Sequence, residues 1–354
     1  MPSEIMHSEI LQQPNVCDQL LHREGPGLQK LIKRLKAKPP KGIVIAARGS
    51  SDHAGIYGRY LLEHLVGLPV ALAAPSLVTI YKAKPRFKDF LVIGVSQSGQ
   101  GPDINAVMKL AASQGAETLG ITNDPKSGLA KVARTVLNLG AEKEKAVAAT
   151  KTFTTELAGL ALLGVLWSGD KKLTHELYDL PDKMASVLAE TEPSVHKVAS
   201  QLKALNACVV VGRGYQMGVA YEMGLKMKEC AGVPALAYSV ADFAHGPVSL
   251  ATRGFPIFYV SAPGALESEG LEYTNDFLKR GAKVYRVGLR DKLVAKLPKH
   301  KLLDTSMLAH TSCNEVLSPL LSILPGQWFA YYNALAKGLD PAMPKGLKKV
   351  TKTK

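Results

Sequence analysis

Short apolar runs rich in valine and isoleucine alternate along the chain with longer segments whose apolar residues recur at helical spacing. The short runs are typical of buried strands, and the longer segments are typical of amphipathic helices. Strands are predicted at Gly42–Ala47, Val70–Ala74, Phe90–Val95, Glu117–Thr122, Thr135–Asn138, Ala207–Val211, Ala235–Ser239, Pro256–Val260 and Lys283–Gly288. This alternation predicts an α/β protein built from doubly wound parallel sheets with helices on both faces.

The second half of the chain resembles the first. The stretch Ile43–Gly49 returns as Cys208–Gly214, and Val95–Gly99 returns as Val260–Gly264, both 165 residues later. A shared offset across separate motifs indicates a duplicated domain. We therefore expect a helical segment at 1–40, a flavodoxin-like sheet domain at 41–167, a helical connector at 168–198, a second sheet domain at 199–338 and a basic tail at 339–354.

Composition excludes several classes of protein. The 354 residues are 46% hydrophobic, yet no apolar run reaches the roughly 20 residues of a membrane span, and the polar N-terminus is unlike a signal peptide. Four cysteines without close spacing predict reduced thiols in a cytoplasmic protein. The net charge of +14 is scattered except in the tail, which favours a solvated surface over a nucleic-acid interface. A positive field also attracts anionic substrates such as sugar phosphates.

Hydroxyl-rich turns follow two of the predicted strands. Ser96-Gln97-Ser98-Gly99 follows one strand and precedes a helical segment, and Gly49-Ser50-Ser51 follows another. Serine hydroxyls, free N–H groups at a helix start and a glycine that permits close approach together predict a phosphate cradle. The alternative is that the serines only cap the helices. The duplicate of the first turn reads Ala262-Pro263, so the second half is expected to contribute something other than phosphate binding.

Acid–base candidates lie in the second half. Glu222 and Glu229 are seven residues apart in a strong helix-forming segment and therefore share one helix face. His245 lies in a turn held by Gly246 and Pro247. A carboxylate and an imidazole can move protons next to a carbonyl carbon. The alternatives are two solvated glutamates paired with Lys226 and Lys228, and a structural histidine.

A threonine-rich stretch, Thr150 to Glu156, precedes an apolar helix. Thr152 with Thr155 and Glu156 resembles a displaced capping box, which would make the stretch a helix start. Alternatively, Lys151 and its neighbouring hydroxyls bind substrate. The sequence favours neither interpretation over the other.

Six ordered motifs resemble one family. They are Glu4–Asn15, Ala47–Gly55, Ser96–Gly99, Thr150–Thr155, Leu225–Glu229 and His245–Pro247. Together they are similar to the sugar isomerase (SIS) half of glutamine:fructose-6-phosphate amidotransferase. That family folds as two doubly wound SIS domains and forms a homodimer with its active site near the subunit interface. The chain begins at the isomerase part, and the resemblance then points to stand-alone SIS-type glucosamine-6-phosphate deaminases, without cofactor or metal.

The resemblance also implies residue roles for a phosphorylated amino sugar. Ser50, Ser51, Ser96, Gln97, Ser98 and Lys151 would bind the substrate. His245 would open the sugar ring from the neighbouring subunit, and Glu229 would carry the proton between C2 and C1 with support from Glu222. Lys349 aligns with a tail lysine that forms an imine in the synthase, and here it would form that imine or only cover the site.

Three positions depart from the synthase pattern. Gln100-Gly101 replaces Glu-Thr, Ala149 replaces a serine, and Arg48 replaces a cysteine. Substrate identity therefore stays open, with a fructosamine-6-phosphate deglycase or another SIS sugar-phosphate isomerase as the enzymatic alternative. A non-catalytic sugar-phosphate sensor is the alternative from a different class.

Overall fold

The computed structural model describes residues 2–349, and the chain forms two compact units. The first unit comprises residues 15–144, 151–178 and 348–349, and the second comprises 2–14, 145–150 and 179–347. The chain starts with two helices, α1 (Pro2–Leu11) and α2 (Gln13–Ala37). No helix within residues 2–349 combines the length and apolarity needed to cross a bilayer.

A five-stranded parallel sheet forms the centre of the first unit. Its strands are β1 (Ile43–Ala46), β2 (Val70–Leu72), β3 (Leu91–Val95), β4 (Glu117–Thr122) and β5 (Thr135–Asn138). The order is β2-β1-β3-β4-β5, which is the flavodoxin-like arrangement. The helices of this unit besides α2 are α3 (Ser50–Val66), α4 (Pro75–Thr79), α5 (Pro102–Ser113), α6 (Gly128–Val132), α7 (Lys151–Ser168) and α8 (Lys171–Tyr178).

The second unit repeats this plan. After α9 (Leu180–Gln201) come β6 (Cys208–Gly212), α10 (Gln216–Ala231), β7 (Ala235–Ser239), α11 (Val240–Ala244), β8 (Pro256–Ser261), α12 (Glu267–Lys279), β9 (Lys283–Leu289), β10 (Leu303–Ala309) and α13 (Pro319–Ala336). Short 3-10 helices cover Pro247–Leu250 and Val294–Lys296. The sheet order β10-β9-β8-β6-β7 is the order of the first sheet with the strands renumbered. The predicted α/β duplication is therefore confirmed.

Each of the nine predicted strands is found within two residues of its expected bounds. The central strands are apolar on both faces because helices cover both sides; Val92 and Ile93 of β3, for example, are fully buried. Burial of each such side chain contributes about 1.5–3 kcal/mol. The tenth strand, β10, was not predicted. Its first half is polar (Asp304, Thr305, Ser306), it lies at the sheet edge, and its register shifts between Asp304 and Met307.

The apolar segment at 158–167 forms the second half of α7, a core helix. Nearly every residue of α7 from Lys151 to Val165 is buried, including the polar residues of its first turn. A helix that is apolar all round is typically packed on all sides. The polar side chains at its start must therefore find partners inside the protein.

Candidate active site

Two loops meet at the carboxyl edge of the first sheet. Strands β1 and β3 are neighbours, with Ala46 paired to Gly94, although β2 lies between them in sequence. The chain leaves β1 and β3 toward opposite ends of the sheet, which creates a crevice between the two loops that follow. Ligands of open α/β sheets bind in this kind of crevice. The loop at 47–49 and the turn at 96–101 lie there.

The turn at Ser96–Gly99, called the serine turn below, presents two hydroxyl groups whose oxygens are held by backbone N–H groups. Ser96 Oγ accepts from the Gly99 N–H at 3.2 Å, and Ser98 Oγ accepts from the Gln100 N–H at 3.3 Å. Because each oxygen already accepts from the backbone, its O–H proton remains to donate to an anion. Helix α5 begins at Pro102, which has no N–H, so the hydroxyls matter more than the helix end that the sequence suggested. Gln97 is half-buried, and its carbonyl oxygen accepts from Asn123 N at 3.0 Å.

Gly99 fixes the shape of this turn. Its φ of 60° lies in the left-handed region, and a Cβ there would collide with Ser127 Oγ and come within 2.8 Å of Thr122 Oγ1. The Gly99 carbonyl accepts from Leu129 N at 3.0 Å and from Asn105 Nδ2 at 3.2 Å. The turn is therefore held against β4 and α6, and only glycine fits.

We expect Gly99→Ala to lower the free energy of unfolding by about 2 kcal/mol or more, from left-handed strain plus overpacking. The same change should raise KM for a sugar phosphate, because the turn must shift. Gly115→Ala is the matched control: Gly115 has a φ of 75°, but open space surrounds its Cβ position. Thermal melts and KM for both variants check the prediction, and equal effects in the two variants would contradict it.

An arginine follows the first strand of each sheet. Arg48 Nε donates to Asp103 Oδ2 at 2.9 Å, and the duplicate residue Arg213 pairs through Nε with Glu269 Oε2 at 3.4 Å. In both units the acid lies in the first turn of the helix that follows the third strand. The carboxylate orients the guanidinium at the carboxyl edge of the sheet. The Arg48 side chain is 49% exposed, so it is accessible to a ligand.

Ser51 and Lys151 lie deeper than a surface cradle requires. Ser51 is buried, and its hydroxyl donates to Glu156 Oε1 at 2.7 Å. Lys151, in the first turn of α7, is also buried. Ser50 at the start of α3 is half-exposed.

The threonine-rich stretch forms the start of α7. Thr155 Oγ1 donates to the carbonyls of Lys151 and Thr152, and Glu156 accepts from Ser51. Glu144 caps this helix start: its Oε1 accepts from Thr152 N at 3.2 Å and its Oε2 from Thr152 Oγ1 at 2.6 Å. The buried Glu144 carboxylate also accepts from Lys349 Nζ at 2.6 Å. The ammonium of Lys349 is thus held in an ion pair.

Three charged side chains line up on α10. Lys226 Nζ lies 3.2 Å from Glu222 Oε1 and 2.5 Å from Glu229 Oε2. Glu222 and Lys226 are fully buried, whereas the Glu229 side chain is 26% exposed. The shared helix face is confirmed. The alternative of two solvated glutamates is wrong for Glu222, because α10 packs against β6, β7 and α13.

The two carboxylates keep Lys226 charged. Burial disfavours the ammonium, but attraction to Glu222 and Glu229 outweighs it and raises the pKa of Lys226 above its ordinary value. Two carboxylates and one ammonium carry a net charge of −1. Glu229 is the member of the three that reaches solvent, so a ligand can contact its carboxylate while Glu222 and Lys226 stay buried. This arrangement suits a general base.

His245 occupies an exposed turn after α11. Its backbone N–H donates to the Asp242 carbonyl at 3.1 Å, and Gly246 adopts a φ of 120° that side chains rarely tolerate. His245 follows the carboxyl end of β7, whereas Glu229 lies in the last turn of α10, just before β7 begins. Because β7 spans about 17 Å, the two residues of one copy lie toward opposite edges of the sheet.

Comparison with known proteins identifies the family. The family model described as SIS domain matches residues 38–166 and 201–332, which are the two sheet-containing regions. The chain belongs to the SIS-domain family. The resemblance inferred from the motifs is confirmed, and the two sheets are the centres of the two SIS domains.

Its relatives include isomerizing glutamine–fructose-6-phosphate aminotransferases. A glutamine–fructose-6-phosphate aminotransferase (isomerizing) from Gloeobacter violaceus is 32% identical over 358 residues, which cover 97% of this chain and 58% of that protein. The chain thus spans less than two thirds of that relative. A structure from Silicibacter pomeroyi DSS-3, provisionally assigned as a phosphosugar isomerase, has 32% identity and a TM-score of 0.86, covering 95% of this chain and 99% of that one. Glucosamine-6-phosphate deaminase from Thermotoga maritima shares the fold, with a TM-score of 0.80, 20% identity and coverage of 99% and 100%.

In the second SIS domain, carboxylates of the protein itself occupy the place that corresponds to the serine turn. At the turn equivalent to Ser96–Gly99, the Gly264 N–H donates to Glu267 Oε1 at 3.0 Å and the Ala265 N–H donates to Glu315 Oε2 at 2.8 Å. These carboxylates occupy the backbone donors that an anionic ligand would need. Phosphate binding by the first SIS domain stays a prediction.

Sequence reasoning missed Glu144, the buried acceptor for Lys349. It considered Glu156, the buried acceptor for Ser51, only as part of a helix cap, and it considered Lys226 only as a surface partner. Glu144 lies in the alternating run Glu142–Lys145, which is typical of a solvated loop. The duplication offered one clue to these residues. It predicts helices packed on both faces of each sheet, and polar residues of such helices, here α7 and α10, can be buried.

Proposed function

We propose that the chain is an isomerising glucosamine-6-phosphate deaminase, which converts glucosamine 6-phosphate and water to fructose 6-phosphate and ammonia. The observation that carries the proposal is the buried Glu222–Lys226–Glu229 array, in which one carboxylate reaches solvent. A buried, charge-paired carboxylate of this kind is suited to move a proton at carbon, because its position is fixed by the ammonium. The relatives named as isomerizing glutamine–fructose-6-phosphate aminotransferases support a sugar phosphate as substrate.

The steps balance without a cofactor. Ring opening exposes the C1 aldehyde, and Glu229 then takes the C2 proton and returns it to C1. As a proton also passes from the amine nitrogen to O1, the product is the C2 imine of fructose 6-phosphate, which water hydrolyses to the ketone and ammonia. Ser96, Gln97, Ser98 and Ser50 bind the phosphate and the sugar in this proposal, with Ser96 and Ser98 donating directly. Ser51 and Lys151 are buried, so the proposal does not assign them to the ligand.

We propose that the ring-opening histidine comes from a second copy of the chain. Glu229 and His245 of one copy lie toward opposite edges of the second sheet, so one copy does not bring the pair together across β7. The exposed position of His245 suits a residue that enters a neighbouring subunit. The active form in this account is a homodimer.

Lys349 covers the site and does not act as a nucleophile in this proposal. Its ammonium donates to Glu144, which also holds the start of α7. The contact with Glu144 holds the Lys349 side chain at the start of α7, and imine hydrolysis by water needs no lysine. The ion pair therefore favours deamination with water over a mechanism through a lysine imine.

The direct test is incubation of the purified protein with glucosamine 6-phosphate, N-acetylglucosamine 6-phosphate and a fructosamine 6-phosphate, with ammonia and fructose 6-phosphate measured in parallel. Equal amounts of both products from glucosamine 6-phosphate are expected. Turnover of the fructosamine derivative alone would replace the proposal with a deglycase. Binding of all three without turnover would indicate a sensor.

The phosphate role of the serine turn has its own test. Removing a charge-assisted hydrogen bond costs about 1.5–3 kcal/mol, so Ser98→Ala should raise KM for glucosamine 6-phosphate about tenfold or more. The KM for unphosphorylated glucosamine should stay unchanged. Ser113→Ala, an exposed serine that donates to its own helix, is the matched control. A similar KM increase with both sugars would remove Ser98 from the phosphate site.

A further inference from the structure

A second cleft opens at the amino edge of the first sheet. It encloses about 570 Å³, including space open to solvent. Its residues come from the end of α2 and from positions that precede β3, β4 and β5 or begin them, such as Asp89, Phe90, Glu117 and Arg134. The serine turn follows β3 at the other edge of the same sheet. The length of β3 separates the two places by about 17 Å, so this cleft is distinct from the candidate active site.

Cations outnumber carboxylates around this cleft. Glu117 is shared by two arginines: Oε1 accepts from Arg34 Nη2 at 2.8 Å, and Oε2 accepts from Arg134 Nη1 at 2.9 Å. Asp89 is shared by two lysines: its carboxylate lies 3.6 Å from Lys38 Nζ and 3.4 Å from Lys41 Nζ. Each carboxylate neutralises one of its two partners. Lys41 lies outside the lining of the cleft, so the three lining cations and two lining carboxylates leave a charge of +1.

The guanidinium of Arg34 does not use all of its hydrogen-bond donors. Its Nη2 donates to Glu117 and to Thr135 Oγ1, but its buried Nε has no hydrogen-bond partner among residues 2–349. The charged residues of the cleft form its polar rim. Beside them lie apolar walls formed by Leu35, Pro39, Pro40 and Phe90.

We propose that this cleft binds a phosphate monoester that carries an apolar or aromatic group. The anionic phosphate is attracted by the net positive charge of the lining and accepts from Arg34, Arg134 and Lys38. The organic part lies against Phe90 and the two prolines. Arginine forks are well suited to phosphate oxygens, and the half-exposed rim permits entry from solvent.

Isothermal titration with phenyl phosphate tests the proposal, in a Ser96→Ala/Ser98→Ala background that removes the other phosphate site. Binding should persist in this background. Adding Lys38→Ala and Arg134→Gln should then weaken it at least tenfold. Both side chains are largely exposed, at 81% and 62%, so the fold should survive, and thermal melts verify this. Lys36→Ala with Lys131→Gln is the matched control, since both are exposed lysines on the neighbouring helices and outside the cleft.

Phenol and inorganic phosphate separate the two parts of the ligand. Both should bind more weakly than phenyl phosphate, because each lacks one of the two contacts. Absence of phenyl phosphate binding in the serine background would overturn the proposal. Equal weakening by the cleft variants and by the control pair would also overturn it, since that result would indicate attraction to the overall positive charge alone.

Discussion

Glu229→Gln is expected to lower kcat for glucosamine 6-phosphate by about 10²–10⁴-fold, the range typical of a lost general base. The amide keeps the size of the carboxylate and can still accept from Lys226 Nζ, so the helix face should remain assembled. Proton transfer from C2 stops because the amide of glutamine is not a base near neutral pH. The KM should change little, since Glu229 is not assigned to the phosphate. Steady-state rates and a thermal melt check the prediction.

Two comparisons make this result specific. Glu272→Gln, at an exposed glutamate on α12, should retain full activity. Glu229→Asp keeps a carboxylate but shortens it by one methylene, so it should retain more activity than Glu229→Gln while still falling well below the wild type. Full activity in Glu229→Gln would remove this residue from the chemistry.

Lys226→Met is expected to lower the free energy of unfolding by about 3–5 kcal/mol, because it leaves two carboxylates near each other without their shared cation. Glu222 is fully buried, so its charge has no solvent to replace the ammonium. Lys228→Met, at an exposed lysine on the same helix, should change stability by less than about 0.5 kcal/mol. Adding Glu222→Gln to Lys226→Met should recover part of the loss.

The difference in the free energy of unfolding between the wild type and Lys226→Met depends on pH because the pKa of Lys226 is raised. A group whose pKa is higher in the folded state contributes its full stability below its unfolded pKa, whose ordinary value is 10.5, and loses it as the pH rises further. The stability gap between wild type and Lys226→Met should therefore be constant from pH 7 to 9 and shrink above about 10.5. Denaturant unfolding at pH 8 and pH 11 measures it. A gap that widens at pH 11 would contradict the ion-pair account.

The fold was accessible from sequence because its signals are local. Strands such as Leu91–Val95 are continuous apolar runs, and the 165-residue repeat reveals the duplication without any structural information. Strand β10 was not predicted because Asp304–Ser306 are polar. An edge strand does not need apolar residues on both faces. Its position became visible only through the pairing with β9.

The candidate site was accessible only in part, since burial of charge depends on tertiary packing. Glu222 and Glu229 could be placed on one helix face by their spacing, but the sequence could not show that Lys226 lies between them, out of solvent. Ser51 and Ser98 have the same chemistry in the sequence. In the structure Ser51 donates to the buried Glu156, whereas Ser98 lies in a half-exposed turn. Partners distant in sequence, such as Lys349 and Glu144, follow from no local pattern.

The central claim is that this chain moves a hydrogen from C2 to C1 of an amino sugar phosphate. Proton NMR of the wild-type protein with glucosamine 6-phosphate in D2O tests it most directly, because the C2 proton signal reports the reacting bond. The account predicts that this signal disappears while fructose 6-phosphate and ammonium appear in equal amounts. A C2 proton signal that persists in the presence of folded protein would contradict the account.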